Sequence, residues 1–250
     1  DQAPSLDGLA PGLSQALMSF NIIVASKWTE SLQASTDGVF SNSSSASVSA
    51  PPIRANGKLG EIVAIIMGMD LPIAGERGTY PVQQFGDRVS VEKILQQCVA
   101  MGIRSPDQVA YILATAWLES RLGKWMTESA WLSEKSAERY AEQKYGPNGN
   151  NPQRARQLGN TQRGDGARYM GRGYVQLTWK NNYERMSKLL IDNDFSYTED
   201  GVTYGDGSNG TEKIDLVTNY RHVNRNKDLA ARILVLGMDG GHYVGDGRGL

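Results

Sequence analysis

Two acidic side chains and one polar stretch have the residue types and spacing that acid–base chemistry requires. Glu119 and Glu128 lie nine residues apart, and Gly171–Met186, which reads GRGYVQLTWKNNYERM, follows them. One carboxyl group can donate a proton while a second activates water, and amides and hydroxyls can hold that water and a polar ligand. The pattern indicates hydrolysis, and glycoside cleavage is a reaction that needs two such carboxyl groups.

Glu119 is predicted to lie on a helix. Residues 105–108 combine an N-cap serine, a first-turn proline and the glutamine of a capping box. They predict a helix from Pro106 to about Leu122, and Gly123 is the expected stop.

The phase of this helix predicts the direction of the Glu119 side chain. Ile112 belongs to the apolar inward stripe, and Glu119, seven residues later, lies within about 20° of it around the axis. We therefore expect a half-buried carboxyl group, and burial favours the protonated form that a general acid needs. The alternative is a structural ion pair with Arg121 or Arg168.

Three glutamates are candidates for the second carboxyl group. On an uninterrupted helix Glu128 would face about 180° away from Glu119 and lie roughly 13 Å further along the axis. Gly123 provides a break that lets the following segment fold back, which favours Glu128. Glu134 and Glu138 fall on the next predicted helix, where we expect them to be solvated.

Composition argues against several other functions. The 250 residues carry 26 Lys and Arg against 27 Asp and Glu, a balance unlike that of a dedicated nucleic-acid-binding protein. The single cysteine, Cys98, allows no intrachain disulfide and is expected in the core. The two histidines give no zinc-ligand spacing, so no metal or other cofactor is expected. The longest apolar run, Ile62–Met69, is too short to span a membrane.

The chain is predicted to consist of an N-terminal appendage, a linker and one larger domain. Residues 1–33, in which Leu13–Leu32 have helical spacing, suggest an anchoring or assembly segment, with a frayed extension of no role as the alternative. Residues 34–52 are rich in Ser, Ala and Pro, as linkers are. Residues 53–250 form the domain, whose pattern is mainly helical.

Local signals predict further elements within that domain. They are a helix capped by Ser90 and ended by Gly102, a helix capped by Ser133 that runs through Lys144, a polar loop after Pro147, a short strand or helix start over Tyr174–Lys180, a helix over Asn181–Ile191, a hairpin-like insertion over Asp194–Gly210, and a helix over Asp228–Met238.

Four segments resemble a known family. They are TAWLESRLGKWMTESAWL, GDGARYMGRGYVQLTWKNNYERM, IDLVTNY and AARILVLGM. These segments are similar to the chitinase-like glycoside hydrolase family 19, in particular its bacteriophage endolysin branch, and the similarity extends over roughly Ser90 to Gly245. The resemblance implies a mainly α, lysozyme-like domain with a substrate cleft and an inverting mechanism. The family usually has a histidine directly before its acid, where this chain has Leu118.

The same resemblance implies roles for individual residues. Glu119 matches the general acid, and Glu128 matches an acidic position that acts with it as the base that orients water. Thr178 matches the hydroxyl residue that helps to hold this water. Gln176 and Asn182 match polar residues that line the sugar subsites.

Aromatic and basic residues near these positions have two interpretations each. Trp125 and Tyr174 either pack against sugar rings or fill the core. Arg168 and Arg172 either brace the cleft carboxylates or meet an anionic substrate. The segment Asn151–Leu190 carries eight Lys or Arg and two acidic residues, which fits a solvated face or a surface that meets an anionic polymer.

The resemblance implies that the protein is a phage-encoded lysin that hydrolyses the glycan strand of peptidoglycan. It would act on the bacterial cell wall, either from the virion or from the host cytoplasm before release. Peptidoglycan is favoured over chitin because the chain lacks a disulfide framework and its basic segment suits an anionic wall. A chitinase is the first alternative. The second is a virion or tail protein that binds cell wall without cutting it and joins other virion proteins through residues 1–52.

Overall fold

The computed structural model describes residues 57–72, 78–103 and 105–241. The predicted N-terminal segment (1–33) and linker (34–52) lie outside these residues. Within them the chain is mainly α-helical, as predicted, with ten helices and five short strands. None of these helices combines the length and the apolar character that crossing a membrane would require.

The helices and strands follow one another along the chain in a mixed order. The helices are α1 (Gly57–Met67), α2 (Val82–Phe85), α3 (Arg88–Ala100), α4 (Pro106–Ser120), α5 (Glu134–Tyr145), α6 (Pro152–Gln157), α7 (Asp165–Arg168), α8 (Lys180–Asp192), α9 (His222–Arg225) and α10 (Lys227–Asp239). The strands are β1 (Asp70–Pro72), β2 (Thr79–Pro81), β3 (Tyr197–Glu199), β4 (Val202–Gly205) and β5 (Glu212–Lys213).

The chain divides into two compact units. One contains the described residues up to Lys124 together with those from Leu234 onward, and the other is Trp125–Ile233. Glu119 therefore belongs to the first unit. Glu128 and the whole Gly171–Met186 stretch belong to the second.

Helices α1, α3 and α4 pack together in the first unit. One face of α3 is apolar, and its residues Val91, Ile94, Leu95 and Cys98 are fully buried. Each buried aliphatic side chain of this kind contributes about 1.5–3 kcal/mol to stability. Burial raises the pKa of the Cys98 thiol above its ordinary value, so Cys98 is an unreactive core residue, as predicted.

The N-cap predicted for α3 is wrong by three residues. Asp87, not Ser90, is the N-cap, and its carboxylate accepts a hydrogen bond from the Ser90 N–H at 2.9 Å and another from the Ser90 hydroxyl. Both residue types are good caps, but the carboxylate is the stronger acceptor. Ser90 is instead a buried position in the first turn.

Helix α4 confirms the helix predicted for Glu119, although its start differs. Ser105 is the N-cap residue, but its side chain makes no capping hydrogen bond. The predicted capping box is therefore absent, and the first-turn proline is the remaining start signal.

The end of α4 comes before the predicted glycine. The backbone turns left-handed at Arg121 (φ 52°) and Leu122 (φ 48°), ahead of Gly123. The Arg121 guanidinium donates hydrogen bonds to the carbonyl oxygens of Trp117 (2.9 Å) and Leu118 (2.7 Å). These bonds satisfy carbonyl groups that a helix end leaves without partners, so the helix can end before Gly123.

Helix α5 packs closely against α7 in the second unit. Ser133 caps α5, as predicted, by accepting a hydrogen bond from the Ser136 N–H at 3.4 Å. The polar loop predicted after Pro147 contains the short helices α6 and α7. Small side chains allow the close packing, and the buried cluster consists of Ala137, Ala141 and Met170 with Tyr145 beside it.

The insertion predicted over Asp194–Gly210 is a hairpin. Strands β3 and β4 pair antiparallel with Tyr197 opposite Tyr204, and β5 joins β4 in parallel. Asp200 (φ 50°) and Gly201 (φ 80°) form an Asp-Gly turn, which needs positive φ at both positions.

The last predicted helices are also present. Helices α8 and α10 match the predictions over Asn181–Ile191 and Asp228–Met238. The strand predicted as one alternative for Tyr174–Lys180 is absent, and the segment is a turn that leads into α8 at Lys180. The turn contains two non-glycine residues with positive φ, Gln176 (51°) and Trp179 (75°).

Candidate functional site

Glu128 is the centre of a polar cluster in the second unit. Its Oε1 accepts hydrogen bonds from the Lys144 ammonium at 2.7 Å and from the Tyr145 hydroxyl at 2.9 Å. Its Oε2 accepts a longer one, 3.4 Å, from the Gly171 N–H. The side chain is 20% exposed, so the carboxylate is held by the protein and still reached by solvent.

Glu128 changes the acid–base behaviour of both side-chain donors. Burial would lower the pKa of Lys144, but the hydrogen bond and charge of Glu128 outweigh it and raise that pKa above its ordinary value. Burial and the Glu128 charge raise the pKa of Tyr145 to about 12. At neutral pH the cluster thus contains a charged lysine and a neutral tyrosine, and both donate hydrogen bonds to the Glu128 carboxyl group.

The loop Gly171–Leu177 packs its backbone against the Glu128 segment. The Glu128 N–H donates to the Gly171 carbonyl oxygen at 2.9 Å, and the Gly173 N–H donates to that of Met126, also at 2.9 Å. The loop is closed by paired backbone bonds between Arg172 and Leu177 (2.8 and 3.2 Å). The structure therefore joins the motif and the predicted second acid, which are 43 residues apart in sequence.

Three predicted polar residues fix the shape of this loop. Gln176 Nε2 donates to the carbonyl oxygens of Gly173 (3.0 Å) and Trp125 (3.1 Å). Thr178 Oγ1 donates to the Gln176 carbonyl oxygen (2.7 Å), and Asn182 Nδ2 donates to that of Thr178 (2.8 Å). Their donors are thus used within the chain, and their proposed contacts with water or sugar stay predictions.

Two of the ambiguous residues belong to the core. Tyr174 is fully buried, so its ring cannot pack against a sugar, and the core interpretation holds. Arg172 is also buried, and its guanidinium donates to the carbonyl oxygens of Ala167 (3.1 Å), Met170 (3.3 Å) and Arg168. Arg172 therefore braces backbone carbonyl groups, which neither of its two predicted roles included.

Arg168 and Trp125 lie closer to the surface. The Arg168 guanidinium is exposed and pairs with Asp165 at 3.0 Å. Trp125 is half-buried, and its ring meets the ring of Trp131 edge to face, with the centroids 6.1 Å apart. Their proposed contacts with substrate stay predictions.

Glu119 is exposed on the last turn of α4, so the predicted half-buried carboxyl group is wrong. The helix phase is correct for Ile112, which is fully buried. However, α4 ends at Ser120, and burial on a last turn depends on which element covers it, which the phase does not specify. The desolvation argument for a general acid does not apply here, and the catalytic role of Glu119 rests on the resemblance.

A cavity of about 360 Å³ opens beside Glu128 within the second unit. This volume is in the range of small-ligand sites. Glu134 and Glu138 line it and share one cation, because Arg221 pairs with Glu134 at 2.9 Å and with Glu138 at 3.3 Å. In the part of the chain that the structure describes, no cluster of three or more His, Cys, Asp or Glu side chains could hold a metal ion.

Several residues of the site were not singled out in the sequence. Lys144 and Tyr145 are the last two residues of α5. No local sequence pattern connects them with Glu128, because Glu128 lies before the start of that helix. Arg221 is far in sequence from the two glutamates with which it forms ion pairs. Trp131, 71% exposed, could have been noticed as the second tryptophan of the WMTESAW segment.

Comparison with known proteins assigns no family. No family model, no curated protein and no solved structure matches the chain. The fold and the site therefore define a class only: a mainly α-helical protein with an ion-paired glutamate at the edge of a cavity of mixed charge.

Proposed function

We propose that this protein hydrolyses the glycan strand of peptidoglycan. One observation carries the proposal: the Gly171–Leu177 loop, the most specific part of the resemblance to phage endolysins, packs directly on Glu128 at the edge of a ligand-sized cavity. A loop with only a structural role would not need to hold a solvent-accessible carboxyl group beside such a space.

The proposed mechanism is acid–base hydrolysis with inversion. Glu119 protonates the leaving glycosidic oxygen, and Glu128 accepts a proton from the attacking water on the opposite face of the sugar. The Thr178 hydroxyl donates to the Gln176 carbonyl group, and its oxygen can still accept a hydrogen bond from that water. Inversion requires the two carboxyl groups to be about 6.5–9.5 Å apart during the reaction.

The proposal includes a lysozyme-like domain with a substrate cleft and a phage-encoded lysin that acts from the virion or from inside the host. The mainly helical fold supports the first part. The basic segment Asn151–Leu190, with eight cationic and two acidic residues, supports an anionic wall polymer as the substrate.

A turbidity assay on purified peptidoglycan tests the proposal. The wild-type protein should clear the suspension and release new reducing ends, whereas Glu119→Gln and Glu128→Gln should each remove most of the turnover and remain folded. Glu184→Gln is the matched control, because Glu184 is an exposed carboxylate of the same unit whose partner, Lys180, is 3.8 Å away. The anomeric form of the first product, read by NMR, reports whether the reaction inverts.

Each other result leads to a different conclusion. Full activity of Glu119→Gln would remove Glu119 as the acid. Release of reducing ends from chitin oligomers but not from peptidoglycan would identify a chitinase. Binding to cell walls by folded wild-type protein without any new reducing ends would identify a wall-binding protein.

A further inference from the structure

We propose that the cavity beside Glu128 contains a subsite for a sugar that carries both a carboxylate and an N-acetyl group. Arg225 binds the carboxylate, and Asn224 accepts the hydrogen bond of the acetamido N–H. Both residues line the cavity. This inference rests on the proposed function and identifies which sugar of the glycan strand lies on this side of the site.

The charges that line the cavity are paired except at one place. Glu128 pairs with Lys144, and Glu134 and Glu138 share Arg221. Arg225 is exposed, and within the described residues its guanidinium makes no hydrogen bond or ion pair. A ligand that enters the cavity therefore meets three carboxylates that already have ion-pair partners and one arginine that has none among the described residues.

Arg172, the third arginine of the lining, does not compete with Arg225 for this role. Its guanidinium is buried and donates to backbone carbonyl groups, and it lies 4.9 Å from the centre of the Tyr220 ring. Arg225 thus has the available planar donor group, and a guanidinium recognises a carboxylate through paired hydrogen bonds.

Asn224 supplies an independent observation. Its Oδ1 is buried and has no hydrogen-bond partner in the described part of the chain. A buried acceptor without a partner costs stability, and a ligand N–H or O–H that reaches it recovers that cost. The atom therefore favours ligands with a donor at this position, such as the N–H of an N-acetyl sugar.

The backbone that carries both residues packs against the Gly171–Leu177 loop. Asn224 and Arg225 belong to α9, and the preceding residue, Val223, is buried against Gly173. A Cβ atom on Gly173 would lie 3.1 Å from both the Val223 carbonyl oxygen and its Cγ1, which is crowded, and the positive φ of 74° also favours glycine here. The subsite and the loop that holds Glu128 are therefore positioned together.

Peptidoglycan contains a sugar with both required groups. N-acetylmuramic acid carries an acetamido group and a lactyl carboxylate, whereas the N-acetylglucosamine of chitin has the acetamido group alone. The subsite thus gives a physical reason for discrimination between the two polymers: both can satisfy Asn224, and only the muramyl sugar can satisfy Arg225.

Binding of two matched disaccharides to the full chain tests the inference. The probes are N-acetylglucosaminyl-N-acetylmuramic acid and di-N-acetylchitobiose, titrated by calorimetry and checked by chromatography to be intact afterwards. The wild type should bind the muramyl probe more tightly. Arg225→Gln should weaken that binding about tenfold or more, the loss expected for a charged hydrogen bond, and leave chitobiose binding unchanged.

Three further variants complete the experiment. Arg225→Lys keeps the charge and should retain part of the preference for the muramyl probe. Arg163→Gln removes an equal charge from an exposed position outside the cavity lining and should have no effect. Asn224→Ala should weaken the binding of both probes. Thermal unfolding of each variant verifies that it is folded.

The outcomes separate this inference from the proposed function. If the wild type clears peptidoglycan but binds both probes equally, or if Arg225→Gln keeps the preference, the subsite is overturned and the hydrolase stands. If muramyl binding depends on Arg225 but peptidoglycan is not cleared, the subsite stands and the hydrolase fails. If the wild type binds neither probe, the subsite is overturned.

Discussion

Gly171 lies directly against Glu128 through two hydrogen bonds of opposite direction. The Glu128 N–H donates to the Gly171 carbonyl oxygen at 2.9 Å, and the Gly171 N–H donates to Glu128 Oε2 at 3.4 Å. One contact fixes the backbone of the glutamate and the other orients its carboxylate. Gly171 is thus the point at which the loop determines where the candidate base is held.

Gly171→Ala tests this contact. An added Cβ would lie 2.8 Å from Gln176 Oε1 and 3.2 Å from the Gln176 Cβ, so the Gln176 side chain, which closes the loop on Glu128, must move. We expect the free energy of unfolding to fall by about 1–3 kcal/mol, the usual cost of overpacking, and peptidoglycan clearing to fall more than stability alone explains. Urea unfolding and the turbidity assay measure the two effects.

A second glycine provides the control for that substitution. Gly60 lies in α1, and a Cβ there would have no atom within 4 Å. Gly60→Ala should therefore raise the free energy of unfolding by about 0.5–1 kcal/mol, because alanine is the better helix former. Gly171→Ala with unchanged stability and clearing would show that the loop is not closely packed on Glu128.

The ion pair between Glu128 and Lys144 predicts the reactivity of the lysine. Because the Lys144 pKa is raised, less of its amine is unprotonated at pH 10 than at an ordinary lysine. Labelling by an amine-selective reagent, read by mass spectrometry, should therefore be slower at Lys144 than at Lys135, an exposed lysine of the same helix.

Glu128→Gln should reduce this difference in labelling. The substitution removes the carboxylate charge that raises the Lys144 pKa, while burial still lowers this pKa and Tyr145 still raises it, so labelling of Lys144 should become faster than in the wild type. Lys135 should be unaffected and serves as the internal control. Equal labelling of Lys144 in both proteins would mean that the 2.7 Å pair does not persist in solution.

The elements that sequence could predict are those set by local signals. Ser133 caps α5 and the Asp200-Gly201 pair forms a turn because capping and positive φ depend on residues a few positions away. Where two neighbouring residues could supply the same cap, as Asp87 and Ser90 can, the local signal identified the helix and not its first residue.

The parts of the site that sequence could not predict depend on distant contacts. Glu119 has the helical phase of buried Ile112 and is nevertheless exposed, because burial needs a covering element as well as a direction. The partners of Glu128 and the pairing of Arg221 with α5 join residues with no shared local pattern. Helix phase therefore indicated the direction of a side chain, whereas tertiary packing determined the environment of each carboxylate.

We expect the protonation of His222, the first residue of α9, to lower the free energy of unfolding in acid. Its Nδ1 is 3.0 Å from the Tyr197 hydroxyl, and burial lowers its pKa below the ordinary 6.5, although Glu199 and Asp200 oppose the shift. The unfolded chain therefore binds this proton at a higher pH than the folded chain. The contribution of His222 to the free energy of unfolding is present above pH 6.5 and is lost as the pH falls through the folded pKa.

Urea unfolding between pH 5 and pH 8 measures this effect, with about one pH unit between points. The midpoint of the wild type should fall with the pH more steeply than that of His222→Gln, which cannot take up the proton. NMR titration of the wild type should place the His222 pKa below its ordinary value, with the variant used to assign the signal. Parallel pH dependences of the two proteins would contradict the prediction.

Trp131 is expected to contribute to substrate binding and little to stability. It is 71% exposed, its edge-to-face contact with Trp125 orients the ring, and its chain neighbours Ala130 and Leu132 line the cavity. An exposed indole face is well suited to pack against a sugar ring. Trp131→Ala should therefore reduce the fraction of protein that sediments with insoluble peptidoglycan while the melting temperature stays close to that of the wild type.

Two further variants are the controls for Trp131→Ala. Trp131→Phe, which keeps an aromatic face, should retain part of the binding. Val89→Ala, which changes an exposed apolar position of the other unit, should retain all of it. If Trp131→Ala sediments as the wild type does, the glycan does not contact this face, and binding must depend on the cavity alone.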